Sequence, residues 1–378
     1  MKTILIFIDW FTPGYKAGGP IQSIANLTNF LAGQYNFKVV TRDTDMGDTV
    51  PYLKVESNQW NTLSEHLSVF YFSSDNITRD NLSKILTEVK FDWIYINSIY
   101  SWSFATLPLW LAKKHKKPVI ICPRGMLQQG ALAVKPLKKM LFLRLFKLLK
   151  LHKDIRWHAT DAQEERDIKR IFGANATIML AENVPDTSLY LNHPIKKKPA
   201  SLKIATISLI TIKKNIHFLI ELIKRINIPV TYDIYGPKKD ADYWSQCQQL
   251  IERLPENIKV NYKGVVKPEE FHETISKYHF FVLPTLGENF GHAIFQALNS
   301  WRPIIISDKT PWRNLAVSSA GWDLPLDDKG KWENVLRKCY SMEQEEYDNL
   351  CNGAQQVAVK YMEQSDFINK YKQLFGDR

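Results

Sequence analysis

Cysteine is scarce in this chain: four residues in 378, Cys122, Cys247, Cys339 and Cys351. None forms a Cys-x-x-Cys pair, and none has histidine or cysteine at metal-ligand spacing. That excludes a disulfide scaffold and a structural zinc site, and leads us to expect reduced thiols in a reducing compartment. Long apolar runs are also missing. No stretch approaches the roughly 20 residues that cross a bilayer. The apolar start Ile4–Ile8 is cut short by Asp9 and Pro13, so it reads as a buried first strand rather than a signal peptide. A cytoplasmic protein is expected. There is no short-period repeat or low-complexity tract, and an apolar share of 45% excludes a disordered chain.

What is present is length and positive charge. A single core rarely grows past roughly 250–300 residues, so 378 residues imply two domains. Fifty Lys and Arg against 39 Asp and Glu give a formal charge of +11. Such a balance suits an anionic partner: a phosphorylated metabolite, an anionic membrane surface or nucleic acid. No nucleic-acid-binding motif accompanies it, so nucleic acid is not expected.

Short β-branched and aromatic runs alternate with longer helical segments. Ile4–Asp9, Phe37–Thr41, Val69–Phe72, Trp93–Asn97, Pro118–Cys122 and Ile155–Thr160 form a first set. Lys203–Ile207, Val230–Tyr235, Ile258–Tyr262, Phe280–Leu283 and Pro303–Ser307 form a second. Most are continuously apolar, as parallel strands covered on both faces must be. The polar, basic stretch 192–199 separates the sets. The expected fold is α/β, with two doubly wound domains over residues 1–194 and 195–360. The C-terminal helix, 361–378, is expected to join the first. Open parallel sheets bind ligands beyond the carboxyl ends of their strands, so chemistry belongs in the loops there.

One such loop stands out: Pro284-Thr285-Leu286-Gly287-Glu288-Asn289-Phe290-Gly291, leading into a helix expected to begin near Asn289 or Phe290. Gly287 and Gly291 allow close backbone approach, and a helix N-terminus attracts a diphosphate. Glu288 can accept hydrogen bonds from hydroxyls, and Gln296, a little over two turns on, can reach the same side. One could hold a sugar and the other a ribose. A capping acid with a surface glutamine is the bland alternative. Asp43-Thr44-Asp45 reads as a solvated loop rather than a metal pair.

Glu288 to Gln296 resembles the E-x7-E signature of the retaining glycosyltransferases of the GT-B fold, family 4, also called group 1. The resemblance runs through most of the chain in order. Gly18-Gly19-Pro20 looks like that family's N-terminal glycine loop, and Cys122-Pro123-Arg124-Gly125-Met126-Leu127 like its PRGML segment. Trp157-His158-Ala159-Thr160 with Glu164 and Glu165, Asn183-Val184-Pro185-Asp186, Ser208–Asn215, Tyr235-Gly236-Pro237, Gly264 and Thr310-Pro311-Trp312 continue it. The departures are Gln296 in place of the second glutamate, Leu209 where an arginine is usual, and Asn97-Ser98, with Tyr100 nearby, where a histidine often follows the fourth strand; Lys214 fills the lysine position, with Lys213 beside it.

The resemblance implies two Rossmann-like domains facing across a cleft, the second binding the donor. It implies transfer from a nucleotide-sugar, UDP- or GDP-linked, to a saccharide or lipid-linked saccharide acceptor. Configuration would be retained, with no metal and no cofactor. Glu288, Lys214 and Arg124 become the expected catalytic residues. Gly18, Gly19, Lys213, Gly236, Asn289, Phe290, Gly291 and Gln296 become the expected donor contacts. Rival readings are a non-catalytic carbohydrate-assembly protein with a degenerate donor site, and an epimerase or phosphorylase on the same scaffold.

Residues 135–156 are unusually basic, with Lys138, Lys139, Arg144, Lys147 and Lys150 at their centre. Leu137, Met140, Leu141, Leu148 and Leu151 share one helical arc, expected to pack inward. Phe142, Leu143, Phe146 and Leu149 fall among the lysines. Such a mixed face suits peripheral attachment to an anionic membrane; a core helix with a solvated basic face is the alternative.

Overall fold

The computed structural model describes residues 1–193 and 195–376. The chain divides into two compact units. One holds the chain up to Val184 together with the segment from Asp366; the other is Pro185–Ser365.

The first unit is built on β1 (Lys2–Phe7), β2 (Tyr35–Arg42), β3 (Trp60–Ser64), β4 (Leu67–Phe72), β5 (Trp93–Ile96), β6 (Val119–Ile121), β7 (Arg156–Ala159) and β8 (Thr177–Leu180). Their order across the sheet is β3-β4-β2-β1-β5-β6-β7-β8. Every pair is parallel except β3 with β4. Ile4, Leu5, Ile6 and Phe7 of β1 are all buried, so the central strand is covered on both faces.

The second unit carries β9 (Lys203–Ile207), β10 (Val230–Tyr235), β11 (Ile258–Tyr262), β12 (Phe280–Leu283), β13 (Ile304–Ser307) and β14 (Gly321–Leu324). All are parallel, in the order β11-β10-β9-β12-β13-β14. In this sheet the strand order reverses at β9, between β10 and β12. Loops after β9 and β12 therefore diverge and leave a crevice at their carboxyl ends. The first sheet has the same reversal at β1, between β2 and β5.

Three strands escaped the sequence reading, and all lie at sheet edges: β3, β8 and β14. β3 is largely polar and exposed, β14 is interrupted by Asp323, and β8 offers only the half-buried Ile178, Met179 and Leu180, too short a run to mark a strand. The division between units also falls earlier than residue 194. Residues 185–190 stay with the second unit because Asn299 Nδ2 donates to the Ser188 carbonyl at 2.8 Å and Trp301 Nε1 to that of Tyr190 at 3.0 Å. Pro194, the last residue of the expected first domain, lies outside the described residues, as does the chain end beyond 376.

The chain returns to the first unit at Asp366, five residues later than expected. Tyr361 is held by the second unit against Trp312, ring centroids 5.2 Å apart. The helix Phe367–Leu374 then packs on the first unit through Phe367 on Phe30 at 5.7 Å, and Phe375 follows on Tyr35 at 5.0 Å. Among the described residues no helix is long and apolar enough to cross a membrane.

Candidate functional site

The crevice of the second sheet collects most of the residues singled out from the sequence. After β9 the chain makes a short turn, Ile212–Lys214, and Asn215 takes a left-handed conformation (φ 57°) before the helix Ile216–Ile226. After β12 it crosses Pro284–Phe290, and Gly291 (φ 82°) caps the helix His292–Asn299. The two loops are tied by backbone and side chain. Leu286 N donates to the Lys213 carbonyl at 2.8 Å, and Thr285 Oγ1 lies 3.1 Å from the same oxygen. Glu288 N is fixed by the Lys309 carbonyl at 3.0 Å.

This scaffold sets Lys214 Nζ 2.5 Å from Glu288 Oε1, and Thr285 Oγ1 donates to that oxygen at 2.8 Å. The side chains are only 17% and 11% exposed, so the pair is held largely out of water. Burial works against the Glu288 carboxylate. The charges of Lys214 and Lys213 and the two hydrogen bonds outweigh it, and its pKa falls below the usual value of 4.5. Glu288 is therefore an anion at neutral pH, not a proton donor.

The helix after the site starts at His292, not at Asn289 or Phe290. A left-handed Gly291 cannot continue a helix backward, and its carbonyl already accepts Ile294 N and Phe295 N. A side chain there would press on Ile294, whose Cδ1 would lie 2.8 Å from the added Cβ. Phe290 is pulled into the core: its ring packs on Trp312 at 5.4 Å, and its carbonyl accepts Trp312 Nε1 at 2.6 Å. What Phe290 can offer a ligand is backbone, with Trp312 the anchor beneath. Gln296 is buried on the following helix, and Asn289 lies half-buried in the loop. Gly236 follows β10 at φ 134°, where any side chain would collide with the Ser208 carbonyl, 1.8 Å from a Cβ. It lets the β9 and β10 loops touch.

Thr285 was missed in the sequence. A threonine in a loop gives no signal until its hydroxyl is seen to join Lys213 to Glu288.

Gly18, Gly19 and Arg124 belong to the first unit. Gly18 (φ 70°) caps the helix Gly19–Phe30. Asp45 fixes the preceding loop by accepting Tyr15 N at 2.9 Å, Lys16 N at 3.1 Å and Met46 N at 2.7 Å. Asp43 accepts Ser57 Oγ at 2.7 Å, and both aspartates are buried, so the solvated-loop reading of this segment was wrong. Burial raises the pKa of Asp9, at the end of β1, against a hydrogen bond from Ser101 Oγ (2.8 Å) and the charge of Arg42.

Arg124 (φ 54°) is spent on its own unit. Nε donates to Asn97 Oδ1 at 2.7 Å, Nη2 to the Tyr95 hydroxyl at 3.0 Å, and Nη1 to Asn183 Oδ1. Tyr95 passes the chain on to His158 Nδ1 at 2.8 Å, and His158 Nε2 reaches the Ala181 carbonyl at 2.7 Å. A carbonyl only accepts, so Nε2 carries the proton and Nδ1 accepts. Burial and the nearby Arg124 charge drive this imidazole down to about 3, which keeps it neutral. Glu164 does not pair with the Arg124 side chain. It accepts Gly125 N at 2.6 Å and Thr160 N at 2.9 Å, while Glu165 pairs with Lys169.

The basic helix spans Pro136–Leu148, and within it the faces are the reverse of the expectation, although just beyond it Leu151 is buried and Leu149 exposed as expected. Phe146 is buried, Phe142 and Leu143 are half-buried, and Leu137, Met140, Leu141, Leu145 and Leu148 are exposed. The aromatic pair decides it. Phe142 packs on Tyr100 at 5.1 Å and Phe146 on Phe172 at 5.8 Å, filling space that the leucine arc would leave open.

Comparison with known proteins agrees with this architecture. Residues 192–356 match the family model "Glycosyl transferases group 1". A stretch of 97 residues is 28% identical to an O-antigen chain mannosyltransferase of Salmonella typhimurium; it covers 26% of this chain and about a quarter (27%) of that protein. Sucrose-phosphate synthase from Thermosynechococcus elongatus superposes over 100% of both chains, with a TM-score of 0.74 and 15% identity. Anabaena HepE, solved with UDP and glucose, covers 99% of this chain and 98% of its own, with a TM-score of 0.70 and 16% identity. The fold is GT-B, and the segment carrying Lys214 and Glu288 is the one that the glycosyl transferase model matches.

Proposed function

We propose that this chain is a glycosyltransferase that takes its sugar from a nucleoside diphosphate donor bound in the crevice of the second unit. The observation that carries the reading is the Lys214–Glu288 pair, desolvated at the point where the strand order reverses. Departure of a nucleoside diphosphate leaves negative charge on its phosphate. Cations held in place beforehand stabilise that charge without reorganising. Lys214 has this role, with Lys213 beside it in place of the family's arginine, and the first turn of the helix His292–Asn299 adds its dipole. Glu288, held as an anion, accepts hydrogen bonds from the sugar's hydroxyls. Gln296 takes the ribose.

Retention of configuration and absence of a metal are part of the proposal, on the family resemblance. So is a lipid-linked saccharide acceptor in cell-surface polysaccharide assembly, which the short mannosyltransferase match favours. Arg124, with three acceptors inside its own unit, is proposed as a positioning residue that fixes the Gly125 loop. The test is thermal stabilisation by a panel of UDP-, GDP- and ADP-sugars. One nucleotide should raise the melting temperature in a saturable way. A panel that leaves it unmoved overturns the reading.

A further inference from the structure

The helix Pro136–Leu148 has an outer face that nothing in the fold accounts for. Leu137 and Leu148 are 74% and 75% exposed, and Leu141 and Leu145 lie along the same stripe at 58% and 47%. Four leucines exposed on one helix face form a coherent apolar surface rather than scattered side chains. Lys138 borders the stripe on one side and Arg144 and Lys147 on the other, at the helical spacing of 100° per residue.

Beside the helix runs a groove of about 460 Å³. Met140 and Leu143 form part of its wall and Arg144, Lys147 and Arg170 bring cations to it; none of its lining residues is acidic. Asp167 is buried against Arg170 at 2.8 Å. No Asp or Glu occurs anywhere between Asp92 and Asp154. Trp102, 68% exposed, stands two residues from Tyr100, the ring that packs on Phe142 of this helix. Exposed tryptophan next to leucine and lysine is the composition of a membrane–water interface.

We infer that this face seats on a phospholipid bilayer bearing anionic headgroups. The leucine stripe enters the headgroup–acyl boundary, and Lys138, Arg144 and Lys147 meet lipid phosphates. The occupant follows from complementarity. A solvated basic helix has no use for four exposed leucines, and an apolar protein partner has no use for an acid-free cationic rim. The helix lies in the interface rather than spanning it, since 13 residues reach only about 20 Å. The inference stands apart from the donor site and would survive a different reaction there.

Vesicle flotation of the full chain tests it, with phosphatidylcholine alone and with about a third phosphatidylglycerol. The protein should float with the anionic vesicles and stay down with neutral ones. Leu141→Ser/Leu145→Ser, at exposed positions that leave the core intact, should lower the partition coefficient at least tenfold. Arg144→Gln/Lys147→Gln should lower it about thirtyfold. Lys224→Gln/Lys259→Gln, the same charge removed from the second unit, should change it less than twofold. Circular dichroism confirms that each variant is folded. Equal flotation with neutral vesicles, or none with either, overturns the inference. So does a leucine variant that binds like wild type while the arginine–lysine variant does not, since that marks a surface for a soluble polyanion or acidic protein.

Discussion

The two units use charge in opposite ways at the carboxyl ends of their sheets. In the second, Lys214 and Glu288 are tied chiefly to each other, at 2.5 Å, with Thr285 as witness. A ligand that brings its own anion and hydroxyls can exchange into such a pair. In the first, Arg124, Glu164 and Asp45 are consumed by backbone amides, two asparagines and a tyrosine. Those charges hold loops in shape and have little left to offer. On the proposed reading a motif residue is a chemical group in one unit and a structural one in the other, although the sequence presents both as a charged residue after a strand.

The largest effect should come from breaking the exchangeable pair. In the proposed role, Glu288→Ala removes the group that accepts hydrogen bonds from the sugar's hydroxyls, and it leaves Lys214 without its carboxylate partner. Turnover should fall about 10²–10³-fold, the cost typical of losing one preorganised polar contact to the transition state. Steady-state kinetics on the nucleotide-sugar identified by the panel gives the number. A loss below tenfold would make Glu288 merely a spacer.

Arg124→Met sharpens the contrast from the other side. It strips donors from Asn97, Asn183 and the Tyr95 hydroxyl, and should cost about 2–4 kcal/mol in urea unfolding. Nucleotide affinity in the second unit should stay within twofold. A large loss of affinity with normal stability would instead make Arg124 a donor contact.

The smallest effect concerns acid. His158 in the first unit and His279 in the second are driven by burial to about 3 and about 4. The unfolded chain takes up these protons near pH 6.5, so below that pH it binds more protons than the native state, and stability falls as pH falls. Between pH 7 and pH 5 each histidine should remove about 2 kcal/mol. The Glu288 pair adds nothing in that window. Its pKa is depressed below 4.5, so its contribution is complete above that value and is lost only as pH falls through the native pKa. His158→Gln, followed by urea unfolding at pH 7, 6 and 5, should recover about 2 kcal/mol of the stability lost between pH 7 and pH 5; an unchanged slope would mean that His158 takes up its proton as readily in the native state as in the unfolded chain.

Much of this was legible in the sequence. The four strands from β9 to β12 match the expected runs residue for residue: β9, β10 and β12 because a parallel strand buried on both faces leaves a mostly apolar signal, and the edge strand β11 because Ile258, Val260 and Tyr262 alternate with polar residues. Glu288 was marked by its place after such a strand, and Lys214 by the family resemblance alone. Three things were hidden, each for its own reason. The helix start waited on Gly291, whose left-handed backbone is invisible until its neighbours fix it. Asp43 and Asp45 looked solvated because their partners are mostly backbone amides, which carry no residue identity. The basic helix was turned inside out because leucine and phenylalanine score alike in a helical projection, while only the rings fit against Tyr100 and Phe172.

The central claim is that a nucleoside diphosphate binds where Lys214 meets Glu288. Calorimetric titration of UDP and GDP into the wild type and Lys214→Ala tests it most directly. One nucleotide should bind the wild type at a single site and bind the variant at least tenfold more weakly, with the variant still folded by circular dichroism. Equal affinity for both proteins, or no binding to the wild type, would contradict it.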